Sequence, residues 1–203
     1  MIAVIDYGVG NLFSLTASLK FIGADCVITS DPAVISRADK VILPGVGAFG
    51  DAAAKLSEHN LIPTLDAVVQ KGTPLLGICL GMQLLFEKSL EFGVHKGLGY
   101  IPGSICPLRG EISDELKVPH IGWNALKFSD NAEPMLKYTR EGDHVYYVHS
   151  FYAKCADEYV KAASDYGVSV PGLVRSGNVW GAQFHPEKSG AVGLNMLRAF
   201  CEI

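Results

Sequence analysis

The 203-residue sequence has no C-x-x-C pair, no run of lysines and arginines, and no apolar stretch long enough to cross a bilayer. Its five cysteines, at positions 26, 79, 106, 155 and 201, are odd in number and scattered. That argues against a disulfide framework or a thiolate zinc site and for a reducing cytosol, where most thiols serve as small buried apolar groups. The longest apolar stretch, 74–86, is interrupted by Pro74, glycines and Gln83, well short of the roughly 20 residues a membrane helix needs. The opening MIAVIDYG has no basic segment before its apolar run and reaches Asp6 at once. The expectation is a buried first strand and not a secretory leader. Charged residues make up only 19% of the chain, with a formal net charge of −4. Neither nucleic acid nor an anionic membrane is the expected partner. What the chain has in plenty is apolar surface, 49% of its residues, enough for a sizeable core. At about 150 residues per domain, one domain over 1–203 is expected.

The first half alternates two periods. IAVID (2–6), ADCVIT (24–29), KVILPG (40–45) and PLLGIC (74–79) read as short buried strands. Between them, Leu12, Leu15, Leu19 and Ile22 share one helical face, and helical segments are expected near 32–38, 48–58, 61–71 and 80–91. Buried strands alternating with helices imply an open, mostly parallel sheet covered on both faces. From Gly93 the text becomes extended and punctuated by glycine and proline, as in PHIGWNALKF and DHVYYVHSFYAK. Ser176-Gly177-Asn178 between apolar flanks reads as a hairpin turn before a strand over 179–184. A last helix spans about 189–202. The fold class is therefore α/β, with an antiparallel elaboration in the second half.

Chemistry concentrates at GICLGMQLLFE, 77–87. Gly77-Ile78-Cys79-Leu80-Gly81 is a G-x-C-x-G at a strand-to-helix junction, the thiol counterpart of a nucleophile elbow. Such a turn forces the nucleophile's backbone into an unfavourable conformation and projects its side chain from the carboxyl edge of the sheet, where open α/β folds bind ligands. The start of a helix also favours thiolate over thiol. An inert cysteine at a tight turn fits these five residues equally well, so a base has to be found.

Six histidines are available. His59 and His95 read as solvated, and His120 and His144 as strand starts. WGAQFHPEKSG, 180–190, is the informative segment: His185 follows a strand, Pro186 fixes the corner, and Glu187 sits two residues on. A carboxylate there can set the imidazole tautomer and stabilise the imidazolium. Metal binding by the pair lacks further ligands at suitable spacing. Oxyanion donors would be the Leu80 N–H and the glycine-rich loop Pro44-Gly45-Val46-Gly47. That loop also fits G-x-G-x-x-G through Gly45, Gly47 and Gly50, but the nearest acidic residue at dinucleotide spacing, Asp66, falls inside a helical pattern.

GICLGMQLLFE together with GAQFHPEKSG resembles the triad (class I) glutamine amidotransferases. With PGVGAFGDA, PHIGWN and VYYVHSFY added, the resemblance narrows to the branch of glutaminase subunits that serve imidazole glycerol phosphate synthesis, and it runs from DYGVGN to the final helix. It implies Cys79 as nucleophile, His185 as general base and acid, and Glu187 as its orienting partner. Val46, Gly47 and Leu80 would form the oxyanion hole, while Gly47, Gln83, Glu91, Ser150 and Phe151 would hold glutamine. By the same resemblance the partner is a (β/α)₈-barrel cyclase that receives ammonia, met by Asn11, Trp123, Tyr146 and Lys188. No cofactor or metal is implied, and the setting is cytoplasmic histidine biosynthesis. A glutaminase of another synthase, a stand-alone cysteine hydrolase and a redox or ligand-binding thiol protein are the alternatives.

Overall fold

The computed structural model describes residues 1–203. Its first half runs β1 (Ile2–Ile5), α1 (Leu12–Phe21), β2 (Cys26–Thr29), α2 (Pro32–Ile35), β3 (Lys40–Gly45), α3 (Phe49–Glu58), α4 (Ile62–Gln70), β4 (Leu75–Cys79) and α5 (Leu80–Leu84). There follow β5 (Phe86–Ser89), β6 (His95–Lys96), β7 (Ile101–Pro107), β8 (His120–Ala125), β9 (Lys127–Phe128), β10 (His144–His149), β11 (Phe151–Lys154), β12 (Val160–Asp165), β13 (Ser169–Ser176), β14 (Val179–Ala182) and α6 (Gly190–Glu202).

The main sheet has the order β2-β1-β3-β4-β14-β13-β12-β9. Its first five strands pair in parallel, and the last three join antiparallel. The inner parallel strands β1, β3, β4 and β14 are buried and, Lys40 apart, free of charged and polar side chains because both of their faces are covered, while the edge strand β2 is only partly buried. On one side Phe49, Leu56, Leu65 and Val68 of α3 and α4 pack under the sheet. On the other, Leu15, Leu19, Met196, Leu197 and Phe200 of α1 and α6 do the same. The hairpin turn reads as expected: β13 ends at Ser176, Gly177 takes φ +57°, and β14 begins at Val179. Two smaller sheets complete the second half, a β10-β8 ribbon and a four-stranded β11-β7-β5-β6 sheet.

The expectation for 80–91 fails. The segment 80–91 is not one helix: α5 stops at Leu84, and Phe86–Ser89 form strand β5. Non-local backbone bonds explain this. Leu98 N–H donates to the Leu84 carbonyl, Tyr100 and Ile101 to that of Leu85, and Gly99 to that of Phe86. Residues 97–101 thus take the carbonyls that a continuing helix would use, and Phe86 pairs beside Ile101 in parallel. Glu91 therefore lies in the loop after β5, not on a helix. The expected helix at 32–38 is shorter, ending at Ile35, and the strand expected to Phe184 ends at Ala182.

In register, Gly45 of β3 stands beside Cys79 of β4, and Ala182 of β14 beside Ile78. The carboxyl ends of these three central strands thus meet at one edge. That edge carries the site.

Candidate active site

Cys79 is the last residue of β4 and the first cap of α5, with φ +54° and ψ −110°. A non-glycine residue held there stores roughly 1–3 kcal/mol of strain, so neighbours must fix it. They do so by closeness. A Cβ on Gly77 would come within 2.6 Å of the Gly81 carbonyl oxygen, and one on Gly45 within 2.6 Å of the Gly81 nitrogen. Glycines let β3, β4 and α5 approach this closely, which holds the Cys79 backbone between them. The five-residue α5 is short, so its dipole is smaller than a long helix would supply.

The Cys79 sulfur lies 3.9 Å from the Val148 carbonyl oxygen and 3.9 Å from the Gln183 amide nitrogen. His185 arrives from the end of β14 and is 2% exposed. Its N–H donates to the Tyr146 carbonyl at 2.9 Å. Ser189 adds a second tie, donating to the His185 carbonyl at 2.6 Å and accepting the Tyr146 N–H at 2.9 Å. Pro186–Lys188 form a single 3-10 turn, which brings Glu187 Oε1 to 2.8 Å from His185 Nδ1. The other ring nitrogen, Nε2, has no aligned hydrogen-bond partner. Burial disfavours the imidazolium, but the Cys79 sulfur and then the Glu187 carboxylate outweigh it and raise His185 to about 9. The sulfur's part in this is its proximity, since no hydrogen bond from Nε2 to it is formed in this geometry.

Cys79 and His185 open into one cavity of about 630 Å³. Val46, Gly47, Leu80, Gln83, Glu91, Ser150, Phe151 and Lys188 line it too. Gly47 has φ +96° with no atom near its missing side chain, whereas Gly45 has an ordinary φ and no room. Gly47 therefore has conformational freedom that Gly45 lacks. Tyr7, in the first-strand loop, anchors the segment by donating its hydroxyl to the Pro44 carbonyl at 2.8 Å.

Gln83 is buried on α5 and donates its amide to the Phe151 carbonyl and to the Gln183 side-chain oxygen, each at 3.0 Å. Glu91 accepts the Phe49 N–H at 2.5 Å and so caps α3 from a distant loop; Ala48, the local cap, provides no side-chain bond. Among the expected partner-facing residues, Trp123 on β8 stands opposite Tyr146 on β10 with ring centroids 6.0 Å apart. Trp123 is 54% exposed, and Lys188 is exposed beside the cavity. Asn11 caps α1 through Ser14 N–H at 3.3 Å. It also borders a small space behind the site, with Gly45, His185 and Glu187.

Four residues near the site escaped the sequence reading: Gln183, Ser189, His120 and His149. Gln183 lies in the quoted GAQFHPE but reads as an ordinary strand residue. His120 and His149 stand opposite each other across β8 and β10, a pairing visible only once the register is known. His95, expected to be solvated, is instead half-buried with its ring against Gly50 and Phe49; β6 returns along β5 and brings it to α3. His59 is exposed at the end of α3, as expected. No group of three or more His, Cys, Asp or Glu side chains is arranged to hold a metal ion.

An elbow cysteine and a buried histidine on one cavity of an α/β sheet, the histidine backed by a carboxylate, define a class, and comparison with known proteins agrees. The chain belongs to the glutamine amidotransferase class-I family, whose model matches residues 3–202. It is 52% identical over 200 residues to the imidazole glycerol phosphate synthase subunit HisH of Bacillus cereus (strain G9842), covering 98% of this chain and 93% of that protein. The HisH subunit of Listeria monocytogenes serotype 4a (strain HCC23) is 49% identical over 203 residues, covering 100% of this chain and 96% of its own. At such identity over nearly full length, the chain belongs to the same family as these HisH proteins. Among solved structures, one titled a glutamine amidotransferase superposes with a TM-score of 0.77 at 18% identity, covering 100% of this chain and 98% of that one. PurLQS from Thermotoga maritima gives 0.72 at 21% identity, covering 99% and 97%; both speak to fold alone.

Proposed function

We propose that the chain is the glutaminase of an imidazole glycerol phosphate synthase, hydrolysing glutamine at Cys79 and passing ammonia to a (β/α)₈-barrel cyclase. The observation that carries this reading is the meeting of the strained Cys79 and the buried His185 on one cavity, with Glu187 paired to the imidazole from behind.

The Cys79 thiolate attacks the γ-amide carbon of glutamine, and the carbonyl π electrons move onto oxygen. Leu80 N–H and the Val46–Gly47 peptide are the donors assigned to that oxyanion, each worth roughly 3–4 kcal/mol in the transition state. When the intermediate collapses, the C–N bond breaks and His185 gives its proton to the departing nitrogen, releasing ammonia. An imidazole raised to about 9 carries that proton at neutral pH. The remaining γ-glutamyl thioester is then attacked by water, whose proton returns to His185, and glutamate leaves as the thiolate re-forms. Glu187 keeps the imidazole oriented through both halves. Gln83, Glu91 and the Gly47, Ser150 and Phe151 backbone are assigned to holding the amino acid.

Ammonia must leave without meeting bulk water, so the partner covers this edge. Asn11, Trp123, Tyr146 and Lys188 are the residues assigned to the cyclase contact, with exposed Trp123 and half-buried Tyr146 at its centre. No helix is long and apolar enough to cross a membrane, and a cytoplasmic biosynthetic setting fits the reduced cysteines.

Cys79→Ala is expected to abolish glutamine-dependent synthesis by the assembled complex while ammonia-dependent synthesis survives. Persisting glutamine-dependent synthesis, measured as imidazole glycerol phosphate formed, overturns the assignment. A stand-alone hydrolase would instead turn over at full rate without the cyclase.

A further inference from the structure

At the cavity wall lies a pair of histidines that the chemistry above does not use, His149 lining the cavity and His120 next to it. His120 and His149 are 3% and 6% exposed, and His120 Nδ1 sits 3.0 Å from His149 Nε2. His149 Nδ1 is 2.9 Å from the Phe151 carbonyl oxygen, while Asn124 Nδ2 is 3.5 Å from His120 Nε2.

The ends of this chain fix its direction. A carbonyl only accepts, so His149 Nδ1 carries a hydrogen, and a neutral ring then leaves its Nε2 as acceptor. His120 Nδ1 must therefore donate to it, which leaves His120 Nε2 as acceptor for the Asn124 amide. Asn124 is itself held in that orientation. Its nitrogen donates to the Asp165 carbonyl at 2.8 Å, and its oxygen accepts the Ala125 N–H at 2.8 Å. A proton added at either ring would set two donors face to face. Burial agrees, lowering His120 to about 4 and His149 to about 3. His120 is further clamped by stacking on Tyr166 at 3.8 Å and Tyr147 at 4.8 Å.

The Phe151 carbonyl that ends the chain also accepts from Gln83. Gln83 donates in turn to Gln183, whose amide is the one facing the Cys79 sulfur. We infer that His149, backed by His120, is a positioning residue: its Nδ1–H holds the Phe151 carbonyl at the Ser150 break between β10 and β11, and so sets the Gln83–Gln183 amides against Cys79. This rests on the glutaminase reading.

The test uses the synthase complex. Loss of one buried hydrogen bond corresponds to about tenfold. His149→Phe, which keeps a ring but no donor, is expected to raise the glutamine KM roughly tenfold with a smaller fall in kcat. His149→Asn, whose amide reproduces the Nδ1 donor, should restore most of the loss. A His149→Phe enzyme with unchanged KM, or an Asn variant as impaired as the Phe one, overturns the inference. Should the variants not fold, ring ¹⁵N shifts of the wild-type chain at neutral pH decide. Two neutral rings, each with hydrogen on Nδ1, are expected; an imidazolium or hydrogen on His149 Nε2 refutes it. If Cys79→Ala behaves as stated and the His149 variants do not, only this inference falls. A wild-type complex inert to glutamine removes both.

Discussion

In the proposed reaction Glu187 acts only through His185, and its contribution has a direction. Its carboxylate helps hold the imidazole protonated, after the effect of the Cys79 sulfur. Glu187→Gln removes that negative charge while keeping an acceptor for Nδ1–H. The His185 pKa should then fall, and the alkaline limb of glutaminase kcat/KM should move to lower pH from its expected place near 9. A pH profile of the variant complex, with the limb unmoved, would show that Glu187 does not govern the proton. At this scale Cys79, His185 and Glu187 stood out in the sequence because each lies in a short string whose geometry is local. Gln183 and the two buried histidines did not. Their meaning comes from partners 29 to 104 positions away, and no string records such a distance.

Among elements, the β4–α5 junction depends on three glycines whose absent side chains are filled by backbone. A Cβ on Gly81 would fall onto the Leu43 carbonyl oxygen, an atom that cannot rotate away. Gly81→Ala is expected to destabilise the fold by about 1–3 kcal/mol or more, read as a lower unfolding midpoint, and to disturb Cys79 with it. A variant as stable as the parent would show that β3 and α5 can separate freely. The elbow was legible because G-x-C-x-G specifies it within five residues. The end of α5 was not. Leu84, Leu85 and Phe86 continue an acceptable helical pattern, and only the bonds from Leu98 to Ile101 redirect them into β5.

For the whole molecule, the first half was readable because βαβ units bury apolar runs that recur at short range. Apart from the β13–β14 hairpin, which Gly177 signals locally, the second half closes mostly through pairings between distant segments, so its remaining register and the three-way division of its strands had no local signature. The buried histidines also mark how the fold answers to pH. His120 and His149 are kept neutral, with pKa values below the usual 6.5 or so. The unfolded chain therefore binds more protons below that point, and stability falls as pH drops from about 6.5 toward 4. The slope is at most about 1.4 kcal/mol per pH unit for each ring. His185 works in the opposite sense: its contribution is full below about 6.5 and is lost as pH rises through about 9. Denaturant unfolding should thus weaken on acidification over that interval, and His149→Asn should lessen the dependence. Equal slopes in parent and variant would place the acid sensitivity elsewhere.

Glu91 holds the first amide of α3 while its carboxylate faces the cavity. A cationic visitor that draws Oε2 toward itself loosens that amide, so filling the pocket in this way would fray a helix end instead of tightening it. Hydrogen exchange at Phe49 should quicken on occupancy, against the usual protection, and the disturbance begins two residues from Gly47.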